Sequence, residues 1–322
     1  MEERVMQAKK EFSRFGLALF VIAVLTIVLQ LFVAFIWNIV PADSAIANAE
    51  IMVWIMTMAP LYLVAIPVGL LIIRKIPVEM PPKQKLSFGR FLILMLICMP
   101  IMYGGNLLGN ILSFLFSGGN AENVLLDYIM GNPIYSFLFT VLLAPFIEEF
   151  LFRKQIIDRL GKYGEQTAIV FSAVTFGLFH MNLFQFFYAF GLGLIFAYVY
   201  TRTRMLRYPV LMHMIINFMG SVIAPMLLNM LDMEVLNSPV APTTEQILGM
   251  LPGLLAYLGY LFVLLGSSIA GLVMLIIRWQ KRQLFLASRQ LPWGSAGKTV
   301  YGNVGVVLFF VICLIMIVLA LF

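Results

Sequence analysis

Two adjacent glutamates and an arginine lie in an otherwise apolar stretch, PFIEEFLFR, which runs from Pro145 to Arg153. On a helix Glu149 and Arg153 are four residues apart and share a face, whereas Glu148 points about 100° away. Arg153 can therefore neutralise Glu149 and leave Glu148 free to point elsewhere. Pro145 removes a backbone donor one turn earlier and favours a kink. The alternative is that both glutamates are solvated at a helix end, with Arg153 extended to the interface.

The chain has only two histidines, and each is a polar member of a pair of residues one helical turn apart within an apolar segment. FGLFH ends at His180, and HMIIN places His213 one helical turn before Asn217. A lone histidine in such a segment is more often a packing residue than a ligand. Here, however, both histidines accompany two glutamates and an asparagine, and ionisable groups at membrane depth are expected to face one another. Hydrolysis and proton transfer are both compatible with such a group.

The composition places these residues in a membrane protein. Hydrophobic residues make up 62% of the 322 and charged residues 11%, and the mean hydropathy is +1.00, which excludes an ordinary soluble domain. Apolar runs long enough to cross about 30 Å of hydrocarbon recur along the chain. We therefore predict an all-α, polytopic transmembrane bundle of eight or nine spans, at 16–40, 51–73, 91–116, 134–152, 166–181, 183–201, 209–230, 249–277 and 304–322.

Basic residues predict the orientation of these spans. All 21 lysines and arginines fall into five groups, in residues 1–15, 74–90, 153–166, 202–207 and 278–298. The loops between them contain acidic residues and no basic ones: Asp43, Glu50, Glu122, Asp127, Asp232, Glu234 and Glu245. The positive-inside rule then places the amino terminus in the cytoplasm, provided that 166–201 crosses twice with a turn at Met181 and Asn182. An odd number of spans places Phe322 outside.

Several further expectations follow from the composition. The first apolar run is too long for a cleavable signal and is expected to be a retained anchor. Cys98 and Cys313 lie inside spans and are expected to be small core residues. The net charge of +6 predicts contact with the lipid bilayer, and the lack of a basic arm argues against a nucleic-acid partner. Small residues predict close helix packing in two spans, at Gly105, Gly109, Ala189, Gly193 and Ala197.

Together the motifs resemble one family of membrane proteases. EEFLFR, FGLFH and HMIIN match EExxxR, FxxxH and HxxxN in the order found in the CAAX-protease and bacteriocin-processing (CPBP or Abi) family, which includes the Ras-converting CAAX endopeptidases. Each motif is weak by itself, but the ordered set is specific. The resemblance covers roughly 134–230, a catalytic core between amino-terminal spans in 1–133 and carboxy-terminal spans in 231–322.

The resemblance implies a role for each matched residue. Glu148 is expected to be the general base that activates water, and Glu149 and Arg153 are expected to be a supporting pair. His180 and His213 are expected to hold that water or a metal and to polarise the scissile carbonyl. Asn217 is expected to stabilise the oxyanion. Amide hydrolysis needs an activated water and donors aimed at the developing negative charge, and these side chains supply both.

A metal ion is a separate expectation. Two histidines and a glutamate, His180, His213 and Glu148, could complete three positions of a catalytic zinc site and leave the fourth for water. Asn217 could then serve as a ligand or an oxyanion donor. The competing mechanism uses no metal, and Glu148 takes the proton from water directly.

Other functions stay open at this point. A transporter or proton relay also uses buried glutamates and histidines, although no internal repeat is visible. A non-catalytic membrane partner, such as an immunity protein or a regulator of a sensor kinase, could retain the motifs. The expected substrate is a hydrophobic peptide or membrane-anchored protein that enters from a lateral or cytoplasmic opening. The expected location is a bacterial cell membrane.

The predicted spans leave one inconsistency. Glu148, Glu149 and His213 lie near the cytoplasmic ends of their spans, whereas His180 lies near the outer end of the fifth. Upright helices would separate these groups by well over 10 Å, at about 1.5 Å of rise per residue. We therefore expect either that the hairpin of the fifth and sixth spans is sunk, or that its lower end extends into the cytosol.

Overall fold

The structure is a computed structural model that describes residues 1–41, 44 and 49–322. Asp43, which belongs to the first acidic loop, lies outside the described residues. The chain is 79% helical, and the described residues include no strand. The predicted all-α membrane bundle is therefore confirmed.

Nine helices contain the nine predicted apolar runs, and we number them α1 to α9. They are α1 Glu2–Trp37, α2 Glu50–Ile73, α3 Phe88–Ser117, α4 Pro133–Tyr163, α5 Glu165–Phe179, α6 Leu183–Thr203, α7 Arg207–Leu228, α8 Thr244–Trp279 and α9 Val304–Leu319. Three short helices, Val124–Met130, Met233–Asn237 and Ala296–Tyr301, lie in the connections.

Two of the nine helices are shorter than predicted. Seven are long and apolar enough to cross a membrane, but α5 has 15 residues and α9 has 16. At about 1.5 Å per residue these two reach only about 24 Å, less than the roughly 30 Å of a bilayer core. Both therefore end below the level that their longer neighbours reach.

The structure corrects the predicted end of the fourth span and removes the inconsistency in depth. The prediction ended this span at 152, but α4 continues to Tyr163. The helix continues because its later charges are paired: Asp158 binds Lys154 and Tyr200, and Lys162 binds Glu11.

A turn at Gly164 then reverses the chain into α5. Its φ of +143° is a backbone conformation that favours glycine. Glu149 and His180 lie about 15 residues on either side of this turn, which places both roughly 22 Å from it. The α4–α5 hairpin therefore brings the two motifs to the same level. Its lower end also extends beyond α6, since Arg204, just after α6 ends, contacts Asp158 in α4.

Four stretches of π-helix interrupt the long helices. They are Pro60–Ala65 in α2, Phe137–Leu143 and Phe150–Gln155 in α4, and Met219–Ile223 in α7. One begins at Pro60, and two end two residues before a proline, Pro145 or Pro225. Wider turns accommodate the carbonyl that loses its donor. The helix kink predicted at Pro145 is replaced by the π-helical stretch Phe137–Leu143. The second stretch in α4 begins directly after Glu149.

The core joins the amino-terminal helices, the α4–α5 hairpin and the carboxy-terminal helices. Phe12 of α1 packs edge-on against Phe171 of α5, and Phe309 of α9 stacks on Phe179. At the crossing of α1 and α9 a Cβ added to Gly305 would lie 1.8 Å from the Ser13 carbonyl oxygen, so the two backbones are in contact. The amino- and carboxy-terminal helices therefore support the α4–α5 hairpin directly.

The small residues pack helices closely, as predicted. A Cβ added to Gly105 or Gly109 of α3 would clash with the backbone of α6, near Tyr188 and Leu183. On the other side of α6, a Cβ added to Gly193 would touch Ala173 of α5. Cys98 and Cys313 are buried, unpaired core residues, also as predicted.

The five basic groups meet at one end of the bundle. Lys162 of the third group binds Glu11 near the first group and the Pro77 carbonyl in the second. The backbone carbonyl of Lys162 accepts from the backbone N–H of Arg289 in the fifth basic group. At the other end Glu50 accepts from the backbone N–H of Asn132 and so joins two acidic loops. The charge segregation is thus a property of the folded bundle, and the side that faces the cytoplasm is a prediction.

Single-cysteine labelling tests this orientation. After Cys98 and Cys313 are replaced, a cysteine at exposed Asn237 should react with an impermeant thiol reagent on intact cells. A cysteine at exposed Lys83 should react only after permeabilisation. The opposite pattern would show that the basic end faces outward.

Candidate active site

A buried ion pair lies at the centre of the site. Arg153 Nη2 donates to Glu149 Oε1 at 3.0 Å, and its Nε lies 2.8 Å from Oε2. Both side chains are 0% exposed. The guanidinium also lies over the Phe176 ring at 4.1 Å, a cation–π contact that offsets part of the cost of its burial. The i,i+4 spacing thus forms the pair that the sequence predicts, even though the helix becomes π-helical directly after Glu149.

Glu149 also orients His213. The same Oε1 that binds Arg153 lies 3.0 Å from His213 Nδ1. Since the ion-paired carboxylate can only accept, Nδ1 is the donor, and Nε2 presents a lone pair in the neutral form of the ring. A carboxylate that fixes a histidine tautomer in this way is a frequent support in hydrolytic sites.

Glu148 faces the other nitrogen of that ring. Its Oε2 lies 3.9 Å from His213 Nε2, and its side chain is 23% exposed. Within the described part of the chain it makes no direct hydrogen bond. It is therefore the free carboxylate that the helix geometry predicts, positioned against an acceptor nitrogen with a gap between them.

Phe176 brings the two histidines together. Its ring centroid is 4.9 Å from that of His180 and 5.9 Å from that of His213, both edge-to-face. His180 Nδ1–H donates to the Phe176 carbonyl at 2.9 Å, since a carbonyl can only accept. Neutral His180 therefore also presents a lone pair at Nε2.

Asn217 supplies the remaining donor. Its Nδ2 donates to the Thr140 carbonyl of α4 at 2.8 Å, and the amide has a second N–H. Asn217 is one turn after His213 on α7. Its bond to Thr140 holds the amide against the part of α4 that precedes Glu148. Among the residues of the three motifs, Asn217 is the uncharged side chain with a second N–H to donate.

Five of the six predicted residues thus come together, whereas the hydrogen bonds of Asn217 are with Thr140 and Ser221. Glu148, Glu149, Arg153 and His213 contact or face one another directly, and His180 joins them through Phe176. Sequence reasoning missed the Glu149–His213 bond, the central place of Phe176 and the Thr140 carbonyl. The phenylalanine of the FxxxH motif was the available signal for Phe176.

The predicted zinc ligands are not assembled. Among the described residues, no group of three histidine, cysteine, aspartate or glutamate side chains lies close enough to hold a metal ion. The side chains of Glu148, His180 and His213 therefore do not fit a three-ligand site as they stand. A zinc ion is an untested prediction, and no step proposed below passes through one.

Comparisons with known proteins agree with the motifs. Residues 130–219 match the family model described as type II CAAX prenyl endopeptidase Rce1-like. A Bacillus subtilis (strain 168) protein named "Putative membrane peptidase YdiL" is 29% identical over 165 residues, which are 48% of this chain and 66% of that protein. The match thus covers just under two thirds of that relative's length. No solved structure matches the chain. The resemblance to the CAAX-protease and bacteriocin-processing family is confirmed by these two findings.

A double-mutant cycle tests the central ion pair. Loss of one partner from a buried pair leaves a lone charge and costs about 3 to 5 kcal/mol, whereas loss of both can cost less. We expect Glu149→Gln and Arg153→Met each to lower the unfolding temperature of the purified protein more than the double variant does.

The exposed pair Glu79 and Arg289 is the matched control. Its charged atoms lie 3.8 Å apart, and the side chains are 41% and 54% exposed, so the same cycle there should show coupling near zero. Additive losses at Glu149 and Arg153 would contradict the buried contact.

Proposed function

We propose that this chain is an intramembrane endopeptidase that hydrolyses a peptide bond with a glutamate-activated water. The observation that carries the proposal is the arrangement of Glu148 opposite His213 Nε2 at 3.9 Å, beside a second carboxylate that is already neutralised. The family match over 130–219 and the relative named as a membrane peptidase support a peptidase in general.

The gap between Glu148 and His213 suits the attacking water. Ionised Glu148 and the Nε2 lone pair are both acceptors, so no direct hydrogen bond can join them. A water between them can donate one hydrogen to each, which is the usual explanation of a polar separation above 3.5 Å. Its oxygen lone pairs then face away from both groups and toward a substrate.

Hydrolysis proceeds in two proton transfers that balance. Glu148 takes a proton from the water as the water oxygen attacks the carbonyl carbon and forms a tetrahedral oxyanion. When the C–N bond breaks, protonated Glu148 returns the proton to the leaving amine. The immediate products are a carboxylic acid terminus and an amine terminus, and Glu148 is restored. The acid then loses its remaining proton to the amine or to solvent.

Asn217 is the donor that we assign to the oxyanion. The assigned tautomers leave both neutral histidines with acceptor nitrogens, so His180 suits water placement better than carbonyl polarisation. The free N–H of Asn217 can point at the oxygen on which charge develops. Thr140 holds the amide in place through its carbonyl, so little reorganisation is needed.

We propose a hydrophobic peptide or a membrane-anchored protein as the substrate class. The catalytic groups lie on helices whose outer faces carry exposed apolar side chains such as Phe146 and Leu211. A substrate at this depth must itself be compatible with a lipid bilayer. The "prenyl" in the family description refers to that family, and a prenyl group on the substrate of this chain is not part of the proposal.

Substitution of Glu148 tests the proposed base. Glu148→Gln keeps the volume but cannot accept the proton, so we expect cleavage to be abolished while the unfolding temperature changes little. The measurement is mass spectrometry of membrane peptides from cells with each protein, followed by cleavage of an identified peptide by purified protein.

Glu79→Gln, an exposed substitution of the same chemistry, is the control and should cleave normally. Undiminished cleavage by Glu148→Gln would overturn the mechanism. If that variant still performs the cellular role without cleavage, the chain is a non-catalytic membrane partner. If uptake of a solute depends on Glu148, it is a transporter.

Metal analysis separates the two mechanisms. Because the three candidate ligands are not assembled, we expect purified protein to cleave fully with well under one equivalent of any transition metal. A membrane-permeant chelator should then have no effect. Inhibition by the chelator and recovery with zinc would show that the predicted metal site forms in the working enzyme.

A further inference from the structure

A cavity of about 620 Å³ lies on the side of the site nearest the acidic loops. Its walls include Met181, just after the short helix α5, and Leu321, just after the short helix α9. Longer helices contribute Thr57 from α2 and Thr140 from α4, and the connection after α3 contributes residues 120–125. The cavity therefore occupies the space that the two short helices leave above the level of His180.

The cavity wall is bonded to the catalytic residues. Thr140, which lines the cavity, accepts the Asn217 amide through its carbonyl. Asn182, also in the wall, donates to the His180 carbonyl at 2.7 Å and to Gln185 Oε1 at 2.8 Å. Two of the proposed catalytic residues thus contact the cavity wall, Asn217 through its side-chain amide and His180 through its backbone carbonyl.

Helix spacing relates the cavity wall to the proposed base. Thr140, a wall residue, precedes Glu148 on α4 by eight residues, which is about 12 Å along the helix. Two tyrosines adjoin the wall on other helices: Tyr188 follows Gln185 by less than one turn, and Tyr62 lies one turn beyond Met58. The cavity is therefore about two helical turns from Glu148.

The opposite direction is closed by packed side chains. Arg153, Asp158 and Lys162 are buried and paired between the site and the basic end. Phe196, which packs against His213, is fully buried as well. A peptide from the basic end would have to break several of these contacts to reach Glu148.

The walls suit an extended peptide of a particular charge. They combine aromatic surface from Trp54 and Phe184 with the amides of Asn182 and Gln185, groups that bind both side chains and peptide bonds. Glu122 is the one charged side chain among the described lining residues, and no lysine or arginine is present there. A flanking segment with acidic residues would be repelled.

We infer that the peptide substrate reaches Glu148 from the acidic-loop end, with an uncharged or basic segment beside the scissile bond held in this cavity. The inference rests on the proposed endopeptidase function and adds the route and the charge of the flanking segment. It departs from the lateral or cytoplasmic entry expected from the sequence.

Cysteine accessibility tests the route. In the background without native cysteines, cysteines at Thr57 and Asn182 should react with an impermeant thiol reagent from the same side as Asn237, which lies outside the cavity. Once labelled, the Thr57 and Asn182 variants should lose at least tenfold in cleavage rate, and the labelled Asn237 variant should lose nothing. Thr57 is included because Asn182 caps α6 and its variant could fail to fold.

Substrate protection adds a readout that does not need cleavage. In the Glu148→Gln background, a saturating hydrophobic peptide should slow labelling at Thr57 and Asn182 at least tenfold and leave Asn237 unchanged. Failure of both cavity positions to react while Asn237 reacts would overturn the inference. So would normal cleavage after both are labelled, in which case the endopeptidase proposal survives. Absence of cleavage by the unmodified protein would instead remove the function on which the inference rests.

Paired peptides test the charge preference. Two hydrophobic peptides that differ only in a lysine or a glutamate beside the cleavage site should differ about fivefold in kcat/KM, in favour of lysine, as expected for one partly exposed charge contact. Glu122→Gln should bring the ratio close to one. Glu245→Gln, in the first turn of α8 and outside the cavity wall, should leave it unchanged. Equal cleavage of both peptides, or a preference for glutamate, would overturn the proposed charge of the flanking segment.

Discussion

The buried pair of Glu149 and Arg153 is the interaction on which the site depends. A lone charge at this depth is costly, so the carboxylate and the guanidinium must remain together. Because Glu149 is held ionised by Arg153, it can only accept, and it therefore fixes the proton of His213 on Nδ1. The acceptor Nε2 then faces Glu148. One electrostatic constraint thus distinguishes the two glutamates, since Glu149 is paired and Glu148 is left for the chemistry that we propose.

The α4–α5 hairpin turns this local pairing into a complete site. Its turn at Gly164 lies about midway between Glu149 and His180 along the chain, so antiparallel packing brings the two to one depth. α7 adds His213 and Asn217 from the other side. The short length of α5 has a second effect, because the cavity wall begins at Met181 and Asn182, directly after His180. The same helix therefore positions a histidine and borders the route that we propose for the substrate.

Much of this arrangement was predictable from residue types and spacing. Hydrophobicity predicts the helical character and the nine apolar segments. Side-chain size predicts the close approach at Gly105 and Gly109, and the spacing of one helical turn predicts the Glu149–Arg153 pair. These are local properties. The end of α4 was predicted wrongly at 152 because charge was taken as a sign of solvent, whereas Asp158 and Lys162 are neutralised by partners far away in the chain.

The sequence by itself determined that the chain is a helical membrane protein and which six polar residues could act together, since composition and short motifs carry that information. Only the tertiary structure decided their division of labour. Glu149 meets His213, both histidines meet Phe176, and Asn217 meets Thr140, across separations of up to 77 residues that no local spacing encodes. The route that we propose likewise depends on where neighbouring helices end relative to one another, which their packing sets.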